Sequence, residues 1–475
     1  MKELFKYIFA IIFIILVFYY PSFSKPFSVD DSCYLMESKN MNFSDLLKSF
    51  TYKRQPQIYR PLGAETYYYI MFRLFGINSL YYAIMNILFF ISGAMILFFV
   101  IKEMTHNLLM SFLVVFIYIT RTTHVFQIYL LGGIPELIAS LFVFLSFLSY
   151  LYFNRIKKMK FFILSIIFYI LALLSKETAV VLPFAILAYD IIKNKLNFKK
   201  SIINNSIYFI IMAIYLVLHS FILPTLQDTG EYPINFFGKN ILTNFNYYFY
   251  GTFDEWTWGR TEISYFFLFF SIILFFIAIL NNIKIKKTEK SIIIFGLMWY
   301  FIFLIPFIFL DSMRSPYYLH MPILGVSIII SLIVLKLYEK IRKNSKIKSK
   351  ILISLIILFI ISFSYVRIDE VYHIASLYTM QELSKNCVEA LKYKISELNE
   401  KTLVIFQQQN TPTDFYPDGV VSRATCAGTM FKLTINKDIK IKFINYNKEN
   451  FENLIKENTN EVILIQNGIN CYLVK

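Results

Sequence analysis

Charge is scarce in this sequence. Asp, Glu, Lys and Arg fill only 16% of its 475 positions, against about 25% in an ordinary soluble domain. Apolar residues fill 57%, and the mean hydropathy is +0.56. The uncharged residues gather in runs such as Ile8 to Tyr20, Ile84 to Ile101, Ile263 to Leu280 and Ile351 to Ser364. Several approach the roughly 20 residues that cross a bilayer core. A soluble α/β protein is excluded, because no soluble fold needs so many uncharged stretches of this length. A small-x-small cleavage site is missing as well. After the apolar N-terminal stretch the chain continues Pro21-Ser22-Phe23-Ser24-Lys25, so that stretch is expected to be a retained first span with its N-terminus in the cytoplasm.

The formal charge is nevertheless +16. Its distribution excludes a nucleic-acid role, because the excess sits in short loops: Asn154–Lys160, Ile192–Lys200, Asn281–Lys290 and Glu339–Lys350, the last with six basic residues against one acidic. Cytoplasmic loops are expected to be basic in this way. The alternate connections are neutral or acidic, and the longest, Phe221 to Glu262, has Lys239 and Arg260 against Asp228, Glu231, Asp254, Glu255 and Glu262.

The alternation predicts about eleven spans. They are Leu4–Tyr20, Leu80–Lys102, Leu108–Arg121, Glu136–Phe153, Phe161–Leu174, Thr178–Ile192, Ser201–Phe221, Ile263–Leu280, Ser291–Leu310, Met321–Tyr338 and Lys350–Tyr365. The expected fold is an all-α polytopic membrane unit over residues 1–366, with a large first external loop over 21–79. That loop carries a short helix near Asn42–Phe50, which Ser44 can cap, and a Tyr-rich segment, Gly63–Phe75, both expected along the outer interface. Residues 367–475 are expected to form a small extracytoplasmic α/β domain, with a helix over Leu377–Asn399 and β-prone runs at Thr402–Phe406, Ile439–Phe443 and Glu461–Ile465. This tail has no metal cluster, Gly-rich phosphate loop or repeat. The four cysteines, Cys33, Cys387, Cys426 and Cys471, all fall on the predicted external side, where disulfides are permitted. A Cys426–Cys471 bridge is one candidate that spacing does not establish.

Ionisable residues at a membrane boundary are costly and point to function. Here they crowd the external face: Asp30 and Asp31 after the first span, Arg60 in the first loop, His124 and Glu136 around the turn between spans three and four, Lys176 and Glu177 between spans five and six, and Arg314 between nine and ten. Each also has an ordinary reading. The Asp pair can cap a helix, Arg60 can reach lipid headgroups, Lys176 and Glu177 can pair locally, and His124 can be an interfacial polar residue. Together they supply an acid pair for proton or metal chemistry and cations for phosphate oxygens. That set suits group transfer from a lipid phosphate or diphosphate at the outer surface.

These motifs resemble the GT-C superfamily of membrane glycosyltransferases, and within it the TMTC-type protein O-mannosyltransferases and their bacterial relatives. The likeness lies in Val29-Asp30-Asp31, in Tyr59-Arg60-Pro61-Leu62 followed by Leu74-Phe75-Gly76-Ile77-Asn78, and in Thr123-His124-Val125-Phe126-Gln127 running to Gly133-Ile134-Pro135-Glu136-Leu137. It continues in Ser175-Lys176-Glu177 before the sixth span and covers about residues 1 to 325. With no tetratricopeptide repeats in the tail, the nearer likeness is to bacterial members with a small external domain.

The resemblance implies a polyprenyl-phosphate-linked sugar donor, an acceptor that is a glycan, lipid or protein, and an inverting reaction in the plasma (inner) membrane. It implies Asp30 as the base, and Asp31 as its support or the ligand of a divalent cation, Mg or Mn. Arg60, Lys176 and Arg314 would face the donor phosphate, and His124, Glu136 and Glu177 would line the pocket. Lys176→Ala is then expected to weaken carrier binding and leave the fold intact. The rival classes are a lipid-linked glycan flippase or transporter, an O-antigen ligase or polymerase, and a noncatalytic anchor presenting the tail. A transporter needs polar residues through the bilayer depth, and the chain has few charges in mid-span.

Overall fold

The computed structural model describes residues 2–53, 58–193, 197–224, 233–253, 286–311, 314–374 and 377–393, and in the tail 403–408, 421, 424–425, 428–435, 439–445, 461–467 and 470–473. The chain begins with α1 (Lys2–Tyr19), and the external loop holds α2 (Asp31–Asn40), α3 (Phe43–Lys48) and α4 (Tyr67–Phe75). Then come α5 (Ser79–Thr105), α6 (Leu108–Ile119), α7 (Val125–Ile128), α8 (Ile134–Ile156), α9 (Met159–Ser175), α10 (Leu182–Lys193), α11 (Phe198–Asn204), α12 (Ser206–Val217) and α13 (Asn240–Phe253). The last helices of the bundle are α14 (Lys287–Ile308), α15 (Ile323–Asn344) and α16 (Lys346–Ile374).

The protein is a mostly helical, multi-pass membrane protein. Five described segments are long and apolar enough to cross a bilayer: Lys2–Ser24, Ser79–Thr105, Leu131–Ile156, Lys287–Ile308 and Lys346–His373. Two bent pairs raise this to seven if each is one span: Leu108–Ile119 with Thr122–Ile128, and Phe198–Asn204 with Ser206–Phe221. The predicted spans five, six and ten coincide with helices that are shorter or more charged, and span eight lies outside the described residues. Local chemistry sets the breaks. Asn78 caps α5 by accepting from Leu80 N at 3.2 Å, and Asn107 caps α6 by accepting from Met110 N at 3.0 Å. Between α5 and α6 His106 turns the chain at φ 51°, the left-handed conformation that ends helices. Where α14 crosses α15, a Cβ on Gly325 would lie 2.2 Å from Gly296 O, so only glycine permits that approach.

The external loop departs from expectation in two ways. The cap of α3 is Asn42, not Ser44, because Asn42 and Asp45 close a reciprocal capping box. The Tyr-rich segment does not rest on the interface alone. Tyr67, Tyr68 and Met71 are buried in the main core, while Ile70 and Leu74 on the other face of α4 remain exposed.

The tail begins later than residue 366, since α16 runs unbroken to Ile374 and places Ile368, Val371 and Tyr372 in the bundle's core. Beyond it come α17 (Leu377–Lys392), β1 (Leu403–Gln408), α18 (Thr429–Ile435), β2 (Lys440–Asn445), β3 (Glu461–Asn467) and β4 (Asn470–Leu473). The strands form an open sheet of order β2-β1-β3-β4, with β1 parallel to β2 and β3, and β3 antiparallel to β4. The fourth strand, over the short apolar run Cys471-Tyr472-Leu473, is additional to the three that the sequence predicted. The sheet and α17 share a core of Leu383, Cys387, Leu391, Val404 and Leu464. Cys471 pairs with Cys387, so the Cys426–Cys471 candidate is replaced by a bridge from β4 to α17. Cys33 is also disulfide-bonded.

Candidate functional site

The acid pair stands at the N-terminus of α2. The chain leaves α1 through a tight turn, Tyr20–Ser24, and reaches Val29 at φ 51°. A β-branched residue in that region is strained. Asp30 follows with helical angles, φ −71° and ψ −19°. The pair therefore lies on a helix start, with Asp30 at the cap position of α2 but making no side-chain capping bond. Asp30 is exposed. Asp31 is 1% exposed, and its Oδ2 accepts from Ser28 N at 2.9 Å. A Cβ on Gly132 would lie 2.8 Å from Asp31 Oδ1, so any larger residue there would push the carboxylate from its place. Tyr34 and Tyr68 stack at 4.9 Å beside it, with Tyr67 and Tyr82 behind.

Burial raises the Asp31 carboxyl to about 7, against the backbone hydrogen bonds from Ser28 and Gly132 and with the neighbouring Asp30 charge adding to the rise. The group is ionised from about pH 4 in the unfolded chain and only from about 7 in the folded one. The folded state therefore binds the extra proton, and stability falls as pH rises through that window and levels above it. In Asp31→Asn this loss of stability between about pH 4 and 7 should disappear. Thermal unfolding across the window checks it, and an unchanged slope would mean that Asp31 titrates normally.

The cations come from two other elements. Pro61 opens a wide turn, Pro61–Thr66. A Cβ on Gly63 within it would lie 2.4 Å from Ser175 O. This close packing of the turn on the end of α9 brings Arg60 and Lys176 together. Arg60 Nε meets Glu177 Oε1 at 3.2 Å and Oε2 at 3.1 Å, and Tyr59 N donates to Glu177 Oε1 at 2.8 Å. Lys176 Nζ lies 2.6 Å from Glu136 Oε2, with both side chains 3% exposed. It also donates to the Tyr317 hydroxyl and sits 4.0 Å from that ring's centroid. Burial lowers the Lys176 ammonium, and Glu136 opposes the shift. Glu136 itself occupies the first turn of α8, where the helix dipole favours an anion. The charges thus pair crosswise, Arg60 with Glu177 and Lys176 with Glu136, and not as the local Lys176–Glu177 pair.

Two cavities meet at these cations. A polar one of about 190 Å³ is lined by Asp30, Asp31, Tyr34, Arg60, Lys176 and Tyr317 among others. Its neighbour, about 310 Å³, has apolar walls that include Leu216, Ile234, Phe236, Phe307 and Leu310. Arg60, Lys176 and Tyr318 line both. A short bridge between Ile234 and Leu310 forms part of the apolar wall. Asn244 fixes the end of α14 by donating to Ile308 O at 3.0 Å.

The other predicted residues serve different ends. Arg314 Nε donates to Asn244 Oδ1 at 2.8 Å, which orients that amide, and Arg314 does not line either cavity. His124 is fully buried outside both cavities. Its Nε2 donates to Tyr118 O at 2.7 Å, and its Nδ1 lies 2.9 Å from His320 Nδ1. The Tyr118 hydroxyl reaches His320 Nε2 at 3.1 Å. Two neutral rings satisfy every partner if His320 carries its proton on Nδ1. Burial lowers His320 to about 3, in keeping with a neutral, structural pair.

Glu136 and Glu177 hold the cations, and Asp30, Asp31, Arg60 and Lys176 face the polar cavity. Sequence reasoning missed Gly132, Tyr317 and His320. Only His320 carried a signal, as an ionisable residue at the predicted mouth of span ten. The donor set suits a resident divalent ion poorly. Among the described residues no three His, Cys, Asp or Glu side chains gather, and Asp31 already accepts from backbone amides.

No family model and no curated protein matches this sequence.

Proposed function

We propose that the chain is a GT-C-like membrane glycosyltransferase of about eleven spans, with its N-terminus in the cytoplasm and its tail outside. It moves a sugar from a polyprenyl-phosphate carrier to an acceptor hydroxyl at the outer surface. The observation that carries this reading is the sharing of Arg60 and Lys176 between an apolar groove and an acid-lined polar cavity. A prenyl chain suits the first, a sugar the second, and a phosphate the cations between them.

In this reaction Asp30 takes the proton of the acceptor hydroxyl as its oxygen attacks the anomeric carbon. The bond from that carbon to the phosphate oxygen breaks on the opposite face, and configuration inverts. The electron pair leaves with the phosphate, whose growing charge Arg60 and Lys176 stabilise. Glu136 and Glu177 keep both cations in place before the donor arrives.

A polyprenyl phosphate carrying a photoreactive group on its chain tests the groove directly. Labelling at Leu216 or Phe307, competed by unlabelled carrier, is the expected outcome. Labelling confined to the outward faces of α1 and α16 would remove the groove from the account.

A further inference from the structure

We propose that the tail is a positioning element of the polar cavity, acting through Val29 and Gln381 on the two loops that meet at Asp31. The role assigned to that cavity rests on the reading above, but the contacts do not. Val29 is held at φ 51° between the first span and the acid pair. Its N–H donates to Ala424 O in the tail at 2.9 Å, and its side chain packs on the tail's core. A β-branched residue adopts that conformation only where its surroundings impose it. Here the surroundings are the tail.

The second strap is Gln381 on α17, which is fully buried. Its Nε2 donates to Tyr129 O at 2.7 Å, and its Oε1 accepts from the Tyr372 hydroxyl at 2.7 Å. Tyr129 opens the loop whose Gly132 amide bonds to Asp31. Tyr372, the bundle residue that donates to Gln381, also bears on the first loop: the Lys25 ammonium lies 3.7 Å from its ring centroid and 5.3 Å from that of Tyr129. Both straps from the tail end on residue 29 or residue 129, and these segments run directly into Asp30, Asp31 and Gly132. A tail that merely capped the bundle would have no reason to fix both walls of one cavity.

Gln381→Met keeps the length of the side chain and removes both hydrogen bonds. Val29→Gly removes the apolar anchor and frees the turn. In the full-length protein each variant should lower kcat for sugar transfer by roughly 10–100-fold, the scale of a small misplacement of reacting groups. KM for the carrier should stay near the original value in the Gln381 variant, since Gln381 lines neither cavity, whereas Val29 lines the polar one and its variant is read by kcat and by the Asp31 titration.

An arm independent of activity is the carboxyl titration of Asp31, read by isotope-edited infrared spectroscopy. Asp30, Tyr67, Tyr68 and Tyr82 face that carboxyl. Loosening either strap should admit water and move its midpoint down from about 7 toward the ordinary 3.8. Lower kcat with a shifted midpoint supports positioning. A shifted midpoint in a protein that transfers no sugar in any form keeps the tail's role and removes the transferase reading. Unchanged kcat and midpoint, with only a lower melting temperature, would overturn the proposal.

Discussion

Asp30→Asn should lower sugar transfer by about 10²–10⁴-fold, the usual contribution of a positioned acid–base group. The substitution keeps the size of the side chain at an exposed position, so folding and carrier binding should be preserved. Asp30 is the carboxylate that an acceptor in water can reach, whereas Asp31 lies beneath the tyrosines with its oxygens held by backbone amides. Asp31→Asn should therefore act mainly on the pH dependence of stability and only secondarily on turnover. Initial rates for the two purified variants, at saturating donor, separate these roles. Near-normal turnover in Asp30→Asn would remove it as the base.

The largest stability effect is expected at Lys176. Lys176→Ala leaves the Glu136 carboxylate, 3% exposed, without its cation. Breaking a buried pair from one side typically costs about 3–5 kcal/mol. The sequence-based expectation that this variant keeps its fold is thereby corrected: burial makes it a test of stability before it is a test of binding. The double variant Lys176→Met with Glu136→Gln should recover most of the loss, because no buried charge is then left alone. Arg60→Ala is the cleaner probe of the carrier, since its pair with Glu177 is more exposed, 16% and 21%. Unfolding of the single and double variants in detergent checks the cycle. A single variant as stable as the parent would show that Glu136 finds another partner or is protonated.

Membrane character was legible because long uncharged runs such as Ile84 to Ile101, close to the roughly 20 residues that cross a bilayer core, need no knowledge of contacts. The acid pair and the cations were legible as types in a place, on the external side of successive spans. Their partners were not. Nothing in Ser175-Lys176-Glu177 shows that Lys176 turns to Glu136 and Glu177 to Arg60, because that choice follows from Gly63 packing on Ser175 across more than a hundred residues. His124 misled for the same reason: a histidine in an external turn reads as a pocket residue until His320 and Tyr118 are seen to close around it. Arg314 is likewise committed to Asn244. The strands of the tail follow β-prone runs, and β4, which holds only the short run Cys471-Tyr472-Leu473, is fixed by its pairing with β3. Long-range packing decided each case, and no local pattern records it.

The most direct measurement is consumption of a sugar-loaded polyprenyl phosphate by the purified full-length protein in lipid vesicles supplied with a membrane glycolipid extract as acceptor. Release of free polyprenyl phosphate and formation of a product of inverted anomeric configuration are expected from the parent protein. Both should fall by about 10²-fold or more in Asp30→Asn. An untouched donor, or equal consumption by the parent and Asp30→Asn, would contradict the account.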